Sequence, residues 1–114
     1  MARVVAFVPD LLFGSNLIGA LQAGGHDPVL VSSTADIEGA LAGADVLVVD
    51  LTAEVDARLA AVTPLLGTVA TLAFYAHVEA EVKVLATSAG VDLVVPRSRM
   101  ARAGSELVDQ LVER

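Results

Sequence analysis

Cysteine and tryptophan are absent from the 114 residues, and positive charge is scarce. Without cysteine the chain can form no disulfide framework, no thiol nucleophile and no thiolate-bound metal site. Seven Lys and Arg residues stand against 14 Asp and Glu residues, which gives a net charge of −7. We therefore expect neither nucleic acid nor an anionic membrane surface as a partner, because the protein would repel their phosphates.

Long apolar stretches are also missing. None approaches the roughly 20 residues that span a bilayer, and the first apolar run ends at Pro9, too early for the core of a signal peptide. These absences predict a soluble, cytoplasmic protein. Hydrophobic residues still make up 55% of the chain and charged residues only 18%, so we expect one folded domain over residues 1–114.

Five short runs rich in β-branched residues recur along the chain. They are almost continuously apolar and do not alternate between apolar and polar residues, which is typical of strands covered on both faces in a parallel sheet. The runs cover residues 3–8, 28–31, 45–49, 69–74 and 91–95.

Segments with apolar residues three or four positions apart separate these runs, which predicts helices between the strands. The stripes are Leu17 with Leu21, Ile37 with Leu41, Leu59 with Val62 and Leu66, Val78 with Val82 and Leu85, and Met100 with Leu107 and Leu111. Glycines precede four of the strands, and Thr34 is predicted to cap the second helix. The expected fold is a three-layer α/β, (βα)5 flavodoxin-like fold with one parallel five-stranded sheet in the order 2-1-3-4-5.

Polar residues follow the predicted strands at Asp10, Asp50, Tyr75 and Arg97. The carboxyl ends of parallel strands meet at one edge of the sheet, so these side chains are expected on a common rim that could hold an anion or a metal ion. A structural interpretation remains open for both acids. Asp50 could accept backbone N–H groups in its turn, and Asp10 could cap the first helix.

Three segments resemble the receiver domain of bacterial two-component response regulators, and the resemblance covers the whole chain. Residues 45–50 read Asp-Val-Leu-Val-Val-Asp and resemble the third receiver strand, which ends in the phospho-accepting aspartate. Residues 21–26 resemble the end of the first receiver helix, and residues 88–95 resemble the run that leads into the fifth strand. The resemblance implies that Asp50 is the candidate phospho-acceptor.

The chain departs from the receiver pattern at three strand ends. Val8-Pro9 stand where receivers have paired acids, and Asp10 follows them, which leaves one carboxylate. Asp10 and Asp50 are therefore candidate ligands for weakly bound Mg²⁺, and no other cofactor is expected. Tyr75 occupies the switch position of a small hydroxyl residue, and Pro96-Arg97 replaces Lys-Pro, with Arg97 as a possible substitute for the lysine. These departures indicate a degenerate phospho-acceptor site, that is, a pseudo-receiver.

The resulting prediction is a stand-alone signalling module without an attached output domain, which binds a protein partner. It is not expected to be an enzyme, beyond self-phosphorylation on Asp50 at most. Wide apolar stripes on the fourth and fifth helices predict a homodimer through those helices. Two alternatives remain: a flavodoxin-like protein or enzyme that binds a small anion or nucleotide at the strand ends, near Arg97, and a structural subunit of a larger assembly.

Overall fold

The computed structural model describes residues 1–113, and within them five β-strands alternate with five α-helices. The strands are β1 (Arg3–Phe7), β2 (Asp27–Val31), β3 (Val46–Asp50), β4 (Ala70–Tyr75) and β5 (Leu93–Pro96). The helices are α1 (Leu11–Ala23), α2 (Ile37–Ala40), α3 (Val55–Val62), α4 (Ala80–Ala89) and α5 (Arg97–Val112). Short 3₁₀ turns precede α2 and follow α3.

The strands form one parallel sheet in the order β2-β1-β3-β4-β5, as the sequence predicted. Val5 pairs with Leu47, and Val48 pairs with Leu72. All five residues of β3 are buried because this strand lies at the centre of the sheet with helices on both sides. The fold is therefore the flavodoxin-like (βα)5 arrangement.

Alternate residues of each central strand enter two separate apolar layers. Val48 joins the layer with Leu17 of α1 and Met100 of α5. Leu47, its neighbour, joins the layer formed with the helices on the opposite face, which includes Val82 of α4. Two covered faces explain why the strand sequences are apolar throughout.

Several predicted helix details differ in the structure. Ser33, one residue before the predicted cap Thr34, accepts the backbone N–H of Ala35, because a 3₁₀ turn begins before the short α2. Leu66 lies beyond α3 in extended backbone. Val78 precedes α4 and is 78% exposed, and Leu85 is half exposed, so Val82 alone of that predicted stripe is buried.

The glycine prediction is confirmed at the ends of the helices. Gly25 and Gly90 have φ angles of 87° and 110°, in the left-handed region that L-residues with a side chain rarely adopt. Gly90 ends α4, and its backbone N–H donates to Thr87 O. These positions let the chain turn from a helix into the following strand within a few residues.

His26, at the turn between α1 and β2, is buried and joins two distant parts of the chain. Its Nδ1 accepts the backbone N–H of Ala2 at 3.1 Å, so the neutral ring carries its proton on Nε2. Nε2 lies 2.9 Å from Asp109 Oδ1 of α5, close but poorly aligned for a hydrogen bond. His26 thereby ties the start of β1 to the last helix.

None of the helices within residues 1–113 is long and apolar enough to cross a membrane.

Truncation of Met100 tests the packing of α5 on the sheet. Met100 is fully buried, so Met100→Ala is expected to lower the free energy of unfolding by about 3 kcal/mol through lost burial and a cavity. Val84→Ala, at a position that is 66% exposed, should change it by less than about 0.5 kcal/mol. Urea unfolding followed by circular dichroism measures both, and equal losses would contradict the packing described.

Candidate functional site

The four predicted site residues lie where the strands end. Asp50 and Tyr75 are the last residues of β3 and β4, Arg97 follows β5, and Asp10 lies three residues after β1. Because the strands are parallel, all four positions are on the carboxyl edge of the sheet, as predicted. Their side chains nevertheless do not converge, because Asp10 pairs with Arg97, Asp50 pairs with a different arginine and Tyr75 packs in an apolar layer.

The Asp50 side chain is almost completely buried, and the residue is 3% exposed. Its Oδ1 accepts the backbone N–H of Thr52 at 2.8 Å and also the Thr52 hydroxyl. This is the local turn arrangement that short acidic side chains favour. Asp50 therefore stabilises its own turn, which is the structural role considered for it in the sequence analysis.

Arg58 supplies the cation beside Asp50. Its Nη1 lies 3.5 Å from Asp50 Oδ2 and donates to the Asp50 backbone oxygen at 3.1 Å. The Arg58 side chain is only 11% exposed, and its guanidinium carbon lies 5.6 Å from the ring centroid of Phe7. Nη2 lies 3.6 Å from the exposed Glu54 carboxylate. The guanidinium is therefore enclosed between two acids and an aromatic ring.

Helix α3 places Arg58 against the strand end. The chain enters the helix through Glu54, which has a φ of 47°, and Arg58 donates its backbone N–H to Glu54 O. Arg58 lies one turn before Val62, and both residues are on the buried side of α3. Helical spacing thus points the arginine back to the carboxyl edge of the sheet.

The sequence prediction missed Arg58. The proposed stripe of the third helix, Leu59, Val62 and Leu66, did not include Arg58, and its last member, Leu66, lies outside the helix. One signal was available: Arg58 is the only Lys or Arg between Arg3 and Lys83. Its position one turn before a buried valine could have marked it as an inward-facing cation.

Asp10 and Arg97 form the second group. Asp10 Oδ1 accepts the backbone N–H of Phe13 at 3.0 Å and so caps α1, and its Oδ2 lies 3.6 Å from Arg97 Nη2. The Arg97 guanidinium carbon lies 4.7 Å from the centroid of the Phe13 ring. Both charged side chains are about half exposed. At the strand ends Arg97 pairs with Asp10 and Arg58 pairs with Asp50, and within residues 1–113 no ion pair joins Arg97 to Asp50.

Tyr75 is 7% exposed and belongs to the apolar layer that contains Val49 and Val82. It therefore fills space beside the end of β3. In the part of the chain that the structure describes, no three His, Asp or Glu side chains are placed to hold a metal ion together.

Comparison with known proteins shows the fold. A response regulator from Thermotoga maritima superimposes with a TM-score of 0.85 at 13% identity, over 100% of this chain and 99% of its own. The receiver domain of a Francisella response regulator gives 0.86 at 14% identity, over 100% and 98%. The chain has a receiver-domain fold. No family model and no curated protein matches the sequence itself.

The same fold occurs in a protein described as pilus assembly-related from Burkholderia pseudomallei. It superimposes with a TM-score of 0.82 at 20% identity, over 99% of this chain and 90% of its own. Because identities in this range accompany different functions on one fold, function has to be argued from the residues at the strand ends.

Removal of the Arg58 guanidinium tests the pair with Asp50. Arg58→Ala should lower the free energy of unfolding by about 3 kcal/mol, because it leaves the buried Asp50 carboxylate without its cation. Glu54→Gln is the matched control, since Glu54 also contacts Arg58 but is 75% exposed, and it should cost less than about 0.5 kcal/mol. Urea unfolding of the two variants measures the difference.

The double variant Asp50→Asn with Arg58→Ala separates loss of charge pairing from loss of packing, because it lacks the aliphatic stem just as Arg58→Ala does. With no charge left to compensate, it should recover much of the stability lost in Arg58→Ala. A double variant no more stable than Arg58→Ala would mean that the pair contributes little and that Arg58 acts through its aliphatic stem.

Proposed function

We propose that the protein is a receiver-like signalling module that works by binding a protein partner, without phosphorylation of Asp50. The observation that carries this proposal is the Arg58 guanidinium beside the buried Asp50 carboxylate. The receiver-domain fold supports the signalling class, and the departures at the strand ends support a degenerate phospho-acceptor site.

Phosphorylation of Asp50 would require one carboxylate oxygen to attack phosphorus while the leaving group departs. Oδ1 accepts two hydrogen bonds from Thr52, and Oδ2 faces Arg58. The equatorial oxygens of a transferring phosphoryl group also need cations to neutralise them. Arg58 already lies between Asp50 and Glu54, so little of its charge is left for that purpose.

The donor set at the rim does not fit Mg²⁺. The cation prefers one or two free carboxylates together with water and substrate oxygens. Here Asp50 is engaged by Arg58, and Asp10 is engaged by Arg97 and by the Phe13 amide. We propose that the two arginines take the place of a divalent cation, each on its own acid.

Arg97 and Tyr75 support the same proposal. Arg97 pairs with Asp10, so a substitute for the receiver lysine at Asp50 comes from Arg58 on α3 instead. Tyr75, the candidate switch position, is packed in an apolar layer, and turning it outward would expose its ring to water. We expect Tyr75 to remain inward as long as Asp50 is unmodified.

A homodimer through α4 and α5 stays a prediction. Val84 and Leu85 on α4 are 66% and 49% exposed and support it. On α5, however, Leu107, Val108 and Leu111 are buried in the chain's own core, so most of the apolar stripe on that helix is not available to a partner.

Incubation with acetyl phosphate and Mg²⁺, followed by intact-mass spectrometry, tests the proposal. The unmodified mass is expected, whereas a competent receiver treated in parallel should gain one phosphoryl group. A phosphoryl adduct on this protein that Asp50→Ala abolishes would refute phosphorylation-independent function. Tight binding of a small anion such as a nucleotide, with no adduct, would favour the alternative small-molecule protein.

A further inference from the structure

A cavity of about 280 Å³ opens at the carboxyl edge of the sheet, beside Arg58. Its lining comes from the ends of three neighbouring strands: Phe7 and Pro9 from the end of β1, Ser32 and Thr34 after β2, and Glu54, Ala57 and Arg58 after β3. The order of the strands reverses between β1 and β3, and open parallel sheets bind ligands at such a point. We call this space the β1–β3 cavity.

Arg58 and Glu54 place a hydrogen-bond donor beside an acceptor in the β1–β3 cavity. Arg58 is 9% exposed, and its Nη1 donates to the Asp50 backbone oxygen. Its Nη2 lies 3.6 Å from Glu54 Oε2, too far for a hydrogen bond. The Glu54 side chain is 75% exposed, so this contact is a weak ion pair. Both groups therefore keep hydrogen-bonding capacity for a ligand.

The charges around the cavity favour a neutral ligand. Two carboxylates, those of Asp50 and Glu54, adjoin the single guanidinium of Arg58, and the whole chain has a net charge of −7. A phosphate or carboxylate group would meet more repulsion than attraction there. A cationic group would face the guanidinium at close range. A neutral group that carries an acceptor next to a donor meets neither cost.

We propose that the β1–β3 cavity binds a neutral heterocyclic base or its nucleoside, with an edge on which a C=O stands next to an N–H, as in guanine and uracil. The C=O accepts from Arg58 Nη2, and the N–H donates to the Glu54 carboxylate. Adenine and cytosine carry an amino group and a ring nitrogen at these positions, so they would set donor against donor and acceptor against acceptor. This inference goes beyond the proposed function and does not depend on it.

The rest of the cavity suits the sugar and the ring faces of a nucleoside. Within residues 1–113 the Ser32 and Thr34 side chains make no hydrogen bond, whereas Ser33 between them caps the 3₁₀ turn. A hydroxyl group both donates and accepts, so these two side chains can pair with ribose hydroxyls. Phe7 and Pro9 form an apolar wall. The volume is near the lower end for ligand sites, which favours a single nucleoside.

Titration with four nucleosides tests the proposal. Guanosine, adenosine, uridine and cytidine are each added up to about 1 mM to the full chain and followed by two-dimensional amide NMR. Guanosine or uridine is expected to shift the amide resonances of Thr34, Glu54 and Arg58, with a Kd between about 10 μM and 1 mM. Adenosine should bind at least about tenfold more weakly than guanosine, and cytidine at least about tenfold more weakly than uridine. The comparison of guanosine with uridine shows whether a purine or a pyrimidine fits better.

Matched variants locate the site without disturbing Arg58, whose removal would also leave Asp50 unpaired. Glu54→Ala should weaken the preferred nucleoside at least about tenfold, because it removes the acceptor for the N–H. Glu79→Ala, the same change at an exposed residue before α4, should change the affinity less than about twofold. Ala57→Trp fills the cavity and should abolish binding. Ala23→Trp, at an exposed position at the end of α1, should not.

Three outcomes would overturn the proposal. They are no shifts with guanosine or uridine up to about 1 mM, equal binding of guanosine and adenosine, or binding of guanosine monophosphate at least about tenfold tighter than guanosine, which would make the cavity a phosphate site. Failure of the proposed function looks different. It appears as a phosphoryl adduct on Asp50 after treatment with acetyl phosphate, whereas the titration uses untreated protein.

Discussion

Burial of both faces of the central strands is the constraint on which the structure depends. The first four residues of β3, Val46 to Val49, enter the two apolar layers in turn, and the strand ends at the edge of the sheet. Asp50 stands at that point and is itself buried. A carboxylate in that position needs compensation from neighbouring groups, because an unpaired buried charge is strongly unfavourable. Thr52 and Arg58 provide it.

Compensation from within the chain has a functional consequence. A receiver-like site that takes up its cation from solvent can respond to a metal ion and a phosphoryl donor. At Asp50, by contrast, the cation is the Arg58 side chain of α3, which neutralises the carboxylate as soon as the chain folds. The same reasoning applies at Asp10, where Arg97 and the start of α1 take up the carboxylate. Both acids at the rim are thus paired from within the chain, which is why we propose that a partner binds the surfaces around the rim.

The sheet could be predicted from the sequence because continuous β-branched runs and glycines before the strands are local signals. The common edge of Asp10, Asp50, Tyr75 and Arg97 followed from strand direction alone. The pairing of the charges could not be predicted. It depends on how α3 is rotated against the sheet, and that rotation is set by the turn at Glu54 and by where the helix ends, before Leu66. A helix of eight residues contains too few apolar residues for their spacing to predict that rotation.

The most direct test of Arg58 as the resident cation of Asp50 is a titration with Mn²⁺ followed by NMR. The paramagnetic ion broadens amide resonances close to where it binds, and the Thr52 amide donates directly to the Asp50 carboxylate. We predict that the Thr52 resonance keeps its intensity in the unaltered protein and is broadened in Arg58→Ala, where Asp50 Oδ2 no longer faces a cation. Selective broadening at Thr52 with Arg58 present would show that a divalent cation reaches Asp50 and would contradict the account.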